Sequence, residues 1–215
     1  MRNTIRGAAL PTSLTVDLPS FGIRAAVGSV DVETRTVDLI FSTGAAVERY
    51  DYYSGKRYVE KLSLKPEHVR IERLNSIGPL LDTHSAYSLS DQIGAVVPGS
   101  VTVTGKEGRC RVRFSKRAEV EPIFQDVQDG IYKSFSVGYC VYKFEEDASN
   151  ATKLPIRTAV DWEPHEISMV PMPADAGAQV RSGDKSKTNQ CVIVRRTLNT
   201  DDADRMRRLR LAMAR

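Results

Sequence analysis

Cysteine is scarce. The 215 residues hold three, Cys110, Cys140 and Cys191. An odd number at wide spacing excludes a disulfide framework and gives no paired zinc-ligand spacing. The three read as reduced thiols of a cytoplasmic protein. Only Cys140 lies among other chemically interesting residues, as a minor candidate for a thiol nucleophile. Long apolar runs are also missing. A stretch such as Ile167–Met172 is far shorter than the roughly 20 residues of a membrane-spanning helix. Pro11 interrupts the apolar residues after Arg2 and Arg6, so no secretory signal is expected. Aromatic residues make up 7% of the chain. That is little for a stacking platform, and nucleic acid is not an expected partner. No internal repeat is present, and nothing indicates a metal or other cofactor.

What is there is ordinary for a globular domain: 41% hydrophobic residues, 27% charged residues and a net charge of +4. Much of the positive excess falls at the end, in Arg205, Arg207, Arg208, Arg210 and Arg215. The organisation reads as a flexible arm over 1–21, a main domain over 22–180, and a linker with a basic C-terminal helix over 181–215. Small and polar residues dominate 175–189, and acids followed by arginines over 201–215 suit a helix.

Within the main domain, period-two alternation predicts strands. Residues 24–32 and 37–41 predict a hairpin, with further strands over 58–62, 77–84, 92–97, 132–144, 157–162 and 166–170. The segment 47–53 reads as a polar and aromatic connection. Strands over 101–104 and 109–114, flanking Gly105–Gly108, give the clearest hairpin signal. Helical spacing predicts short helices over 65–74 and 117–128, the second stopped by Gly130. Many short strands with few helices predict a mainly β fold with decorating helices, as a closed antiparallel β-barrel.

The chain has three histidines, His68, His84 and His165. His68 sits in a charged stretch and reads as exposed. His84 ends an apolar run and opens into a polar loop, a position both oriented and accessible for proton transfer. Ser136 sits in an apolar strand with Gly138 two residues on, leaving room for a substrate backbone. Ser134 shares that face and competes with it. Glu166 lies in an apolar strand and needs a partner there. A histidine would serve, and so would an arginine such as Arg157. Asp82 and Glu163 are weaker candidates for the acid. His165 points to the opposite strand face from Glu166.

Three segments carry a resemblance. These are Leu80-Leu81-Asp82-Thr83-His84, the stretch from Gly130 to Tyr139, and the stretch from Glu166 to Ala174. In this order they resemble the prohead serine proteases of tailed phages, a family similar in fold to the herpesvirus assemblins. The resemblance covers about residues 22–180. It implies a serine endopeptidase in which Ser136 attacks a peptide carbonyl, His84 carries the proton and Glu166 orients His84. His165 is the alternative third member. Ala174 and Gly177, in the loop after the last strand, would form the oxyanion hole, with Arg111 and Arg113 as electrostatic alternatives.

The implied setting is the immature capsid in the host cytoplasm. The implied partners are the major capsid protein, scaffold protein and a second copy of the chain, with no membrane. The enzyme would cleave scaffold or the scaffolding segment of the capsid protein, and itself, with 181–215 as a detachable tail. The alternative is a non-catalytic capsid-assembly or scaffolding protein that keeps the same fold. A third reading is a β-barrel that binds nucleic acid through the basic tail.

Overall fold

A computed structural model describes residues 13–19, 21–52, 54–147, 154–171 and 188–195. The strands are β1 (Ser13–Pro19), β2 (Phe21–Asp31), β3 (Thr36–Ser42), β4 (Val47–Asp51), β5 (Lys56–Leu62), β6 (Pro79–Asp82), β7 (Gln92–Val96), β8 (Thr102–Val103), β9 (Gly108–Phe114), β10 (Ser134–Asp147), β11 (Ile156–Met169) and β12 (Thr188–Arg195). Two short helices, α1 (Glu72–Ile77) and α2 (Glu121–Gln128), decorate them. The mainly β expectation holds.

All twelve strands belong to one sheet, ordered β1-β12-β10-β2-β3-β9-β7-β6-β11-β5-β4, with β8 beside β9. The sheet as a whole is open, ending at β1 on one side and β4 on the other. The expectation of a closed barrel is corrected accordingly: β1, β12, β5 and β4 extend the sheet past any single ring. Within it, β10 also pairs with β11, so these two long strands tie distant parts of the sheet together.

The hairpins predicted from alternation are present: β2 pairs with β3, and β8 with β9, both antiparallel. In β9, Gly108, Cys110, Val112 and Phe114 are buried while Arg109, Arg111 and Arg113 are exposed. One core runs through the molecule, including Phe41, Leu74, Leu80, Phe114, Phe124, Phe135, Tyr139 and Trp162. Trp162 packs edge-on against Tyr139 with ring centroids 5.7 Å apart, and its indole N–H donates to the Ser63 carbonyl at 2.8 Å.

Several boundaries differ from the sequence reading, each for a physical reason. Residues 47–51 form β4 rather than a connection. Its inward residue is Arg49, so the burial pattern carries no apolar signal. Residues 13–19, read as arm, pair with β12 in a long-range contact that no local pattern encodes. The helix read over 65–74 is interrupted. A 3-10 turn at Pro66–His68 ends where the Arg70 N–H donates to the Trp162 carbonyl, and α1 starts only at Glu72. The strands read over 157–162 and 166–170 are one strand, β11. Pro164 has no N–H for the ladder and sits where the β10–β11 register shifts, a place where a sheet tolerates proline.

Among the described residues no helix is long and apolar enough to cross a membrane. Of the segment read as linker and basic helix over 181–215, residues 188–195 form β12, and 181–187 and 196–215 lie outside the described residues.

Candidate functional site

The site gathers at the C-terminal end of β11, between β10 and β6. On one side Gly138 lies opposite Glu166 and Ser136 opposite Ser168. On the other, β6 runs parallel, with Leu81 beside Ser168 and Asp82 beside Met169. Directly opposed residues share a sheet face, so Ser136, Gly138, Glu166 and Ser168 line one face.

After Asp82 the chain turns back onto that face through two consecutive residues of positive φ, Thr83 (48°) and His84 (61°). The conformation costs about 1–3 kcal/mol per non-glycine residue, most for a β-branched threonine. It is held by three main-chain donors. The Thr83 N–H donates to the Met169 carbonyl at 2.9 Å, the Ser85 N–H to the Asp82 carbonyl at 2.8 Å, and the His84 N–H to Ser168 Oγ at 3.1 Å.

The side chains close a ring of hydrogen bonds. Ser168 Oγ donates to Glu166 Oε2 at 2.6 Å, and Glu166 Oε1 faces His84 Nδ1 at 2.5 Å. The Glu166 side chain is 8% exposed and that of His84 37%. This geometry places the Nδ1 proton toward the carboxylate and leaves Nε2 as the imidazole's second polar atom. A Cβ at position 138 would lie 2.0 Å from Glu166 Oε1. The room that Gly138 leaves is thus filled by this chain's own carboxylate, not kept open for another backbone.

Of the residues singled out in the sequence, the structure brings His84 and Glu166 into contact. Ser136 is buried beside them, but among the described residues no hydrogen bond joins its Oγ to the His84 ring. Ser134 sits two residues earlier, its carbonyl accepting from the Val170 N–H at 3.1 Å. His165 is not on the opposite face: the register shift between Gly138 and Tyr139 leaves it as an extra β11 residue, its Nδ1 3.9 Å from Cys140 Sγ, two residues along β10 from Gly138. Glu163 accepts from the Tyr142 hydroxyl at 2.8 Å farther along the same β10 face, and Asp82 is exposed. Burial, followed by the bond to Glu163, pushes the Tyr142 hydroxyl up to about 12.

Arg111 and Arg113 lie on the exposed face of β9, where Asp38 holds Arg111 through two bonds of 2.7 and 3.0 Å. The structure does not bring them to the site. Arg157, the alternative partner for Glu166, instead binds Glu146 at 2.8 Å and Asp51 at 3.1 Å. His68 is half-buried rather than exposed, its Nδ1 2.7 Å from Ser63 Oγ. Ala174 and Gly177 lie outside the described residues. Sequence reasoning missed Ser168, although its place two residues after Glu166 on one strand face was a usable signal.

A second polar cluster is buried under β4 and β5. The Tyr139 hydroxyl donates to Glu60 Oε1, and Arg49 donates to Tyr139 Oη at 3.2 Å and to Glu60 Oε1 at 3.4 Å. Burial and then the Glu60 charge hold the Tyr139 hydroxyl well above its ordinary value. Among the described residues no group of three or more His, Cys, Asp or Glu is arranged to hold a metal ion.

No family model matches the chain, and no solved structure does. The chain is 38% identical over 103 residues to the major capsid protein of Halomonas phage phiHAP-1. The match covers 48% of this chain and 17% of that protein. This finding overturns the identification as a prohead protease. It equally overturns the assignment as an enzyme and the self-cleavage that came with it, because the relative is a capsid protein. The expected phage and capsid setting agrees with the name of that relative.

Proposed function

We propose that this chain is a non-catalytic capsid-assembly module of a phage. The observation that carries the reading is the 38% identity to a phage major capsid protein over nearly half of the chain. Its partners are capsid-protein and scaffold chains, with pairing to a second copy, and its place is the assembling capsid in the host cytoplasm. The pairings from β10 through β2, β3, β9, β7, β6 and β11 back to β10 support a ring of strands as its rigid centre.

In this reading the cluster around Glu166 is a clasp. It fixes the strained corner at Thr83–His84 and so holds the loop up to Asp91 in one conformation. That loop has further internal support: Asp91 Oδ2 accepts from Ser85 Oγ at 2.7 Å and from the Tyr87 and Ser88 N–H groups at 2.9 and 3.0 Å. The loop presents Tyr87 and Leu89 to solvent, 84% and 87% exposed. Large apolar side chains on a pre-ordered loop are suited to an assembly contact, because the ordering cost falls on folding rather than on binding.

Co-expression with the capsid protein of the same phage, followed by sedimentation of particles, tests the reading. The expected result is this chain in the particles at a fixed ratio, reduced by Tyr87→Ser/Leu89→Ser. Particles that form normally with the chain left in the soluble fraction would overturn it.

A further inference from the structure

The run from Lys106 to Arg117, KEGRCRVRFSKR, holds six cations and one acid. The fold sorts them. Arg117 is used internally, donating to the Leu89 carbonyl at 3.1 Å and to that of Gln92. Arg109, Arg111 and Arg113 project from the outer face of β9, and Lys106 and Lys116 are exposed at its two ends. The Arg109 and Arg111 side chains are 56% and 51% exposed.

Alternate residues of a strand repeat at about 6.8 Å, so the three guanidinium groups form an evenly spaced row. Three acids lie near it. Glu107 binds Arg109 at 2.6 Å, Asp38 binds Arg111, and Asp31 acts on Arg111 through its charge. Exposed ion pairs of this kind are worth about 0–1 kcal/mol. Asp38 engages only Nε and Nη2 of Arg111, which leaves donors of its planar fork for another anion.

We propose that the outer face of β9 binds the phosphate backbone of duplex nucleic acid without regard to sequence. Two observations favour this over an acidic peptide. First, β9 is not an edge: β3 pairs along one side, and β7 and β8 along the other. It offers an extended peptide no main-chain partners, and a phosphodiester backbone needs none. Second, the row is arginine, whose fork matches phosphate oxygens in pairs. Duplex rather than single strand follows from the neighbours on the face. Thr36, Ile40, Ala95 and Thr102 lie opposite these arginines, and none offers a ring on which a base would stack. The low aromatic content that argued against nucleic acid therefore excludes base stacking and leaves backbone binding open.

Fluorescence anisotropy of a labelled duplex with the full chain, over a salt series, tests the proposal. Arg109→Gln/Arg113→Gln removes two contacts and leaves the Arg111–Asp38 pair in place. The slope of log K against log salt should fall in magnitude by about 1.8, and binding should weaken at least about tenfold near 50 mM salt. Circular dichroism confirms that the variant is folded. If it is not, Arg113→Gln alone should lower the slope by about 0.9. No binding by the wild-type chain would overturn the proposal. So would an unchanged slope, which places binding elsewhere, such as the arginines of 205–215. Poly-glutamate competing as strongly as unlabelled duplex would assign the face to an acidic protein instead and also defeat it.

Discussion

Gly138→Ala is the sharpest probe of the Glu166 clasp. A methyl group there would sit 2.0 Å from Glu166 Oε1 and 2.7 Å from its carboxyl carbon. Neither strand can yield cheaply, because Gly138 is paired on both sides, with Glu166 and Gly22, and β11 is held by β6 from the next residue, Ile167. The carboxylate must therefore move, losing its contacts with His84 Nδ1, Ser168 Oγ or both. Hydrogen bonds to a charged group contribute about 1.5–3 kcal/mol each, so a loss of about 1.5–6 kcal/mol is expected. For a chain of this size that is a fall in Tm of roughly 3–24 °C. Denaturant unfolding of four proteins isolates the cause: wild type, Gly138→Ala, Glu166→Ala and the double variant. Once Glu166 is truncated the clash is gone, so Gly138→Ala should cost under about 1 kcal/mol in that background. An equal cost in both backgrounds would refute the reasoning and make the glycine's role one of backbone conformation.

Arg49→Ala should destabilise the chain by about 3–5 kcal/mol in the same unfolding assay, because it leaves the buried Glu60 carboxylate without its cation. A cost below about 1 kcal/mol would show that Tyr139 alone satisfies Glu60. Alkylation followed by peptide mapping should label Cys140 first. Burial pushes the Cys191 thiol up to about 12 and that of Cys110 higher still, so both should react only on unfolding. The hydrogen bond from Ser85 Oγ and those from the Ser88 and Tyr87 N–H groups hold the Asp91 carboxyl below its ordinary value. A lowered folded value means that the carboxylate's contribution is full above the unfolded value near 3.8 and is lost as pH falls through the folded one. Proteolysis within 85–91 should therefore rise below pH about 4 in the wild type. In Asp91→Asn it should be high at every pH.

The legible parts of this fold were those written in apolar alternation. The β2–β3 and β8–β9 hairpins and the centre of β10 follow from period two, and the inward positions of β3, β9 and the centre of β10 are hydrophobic. β4 was invisible because its inward residue is an arginine, and its burial depends on Glu60 and Tyr139, distant in sequence. β1 was missed because the strand it pairs with among the described residues is β12, more than 160 positions on in sequence. At the site, the need of a buried Glu166 for a partner could be read locally, and His84 is that partner. The expectation that His165 takes the opposite face fails for a reason no local pattern shows: β11 carries an extra residue between the Gly138–Glu166 and Tyr139–Pro164 pairs, which puts His165 beside Cys140 on the face of Gly138. Nothing local revealed the positive φ at Thr83 and His84 or the occupation of the space above Gly138, since both depend on how β6 meets β11. The protease reading rested on the order of three short motifs. Those motifs also describe a clasp that a capsid protein can use to hold a loop, and the likeness to a capsid protein weighs against catalysis.

The most direct test of the capsid-assembly account is the intact mass of capsid-protein chains in particles formed with the wild-type chain and with Ser136→Ala. A non-catalytic module predicts identical masses in both preparations, with no fragment of either protein. Capsid chains shortened in the presence of the wild-type chain and full-length with Ser136→Ala would contradict it.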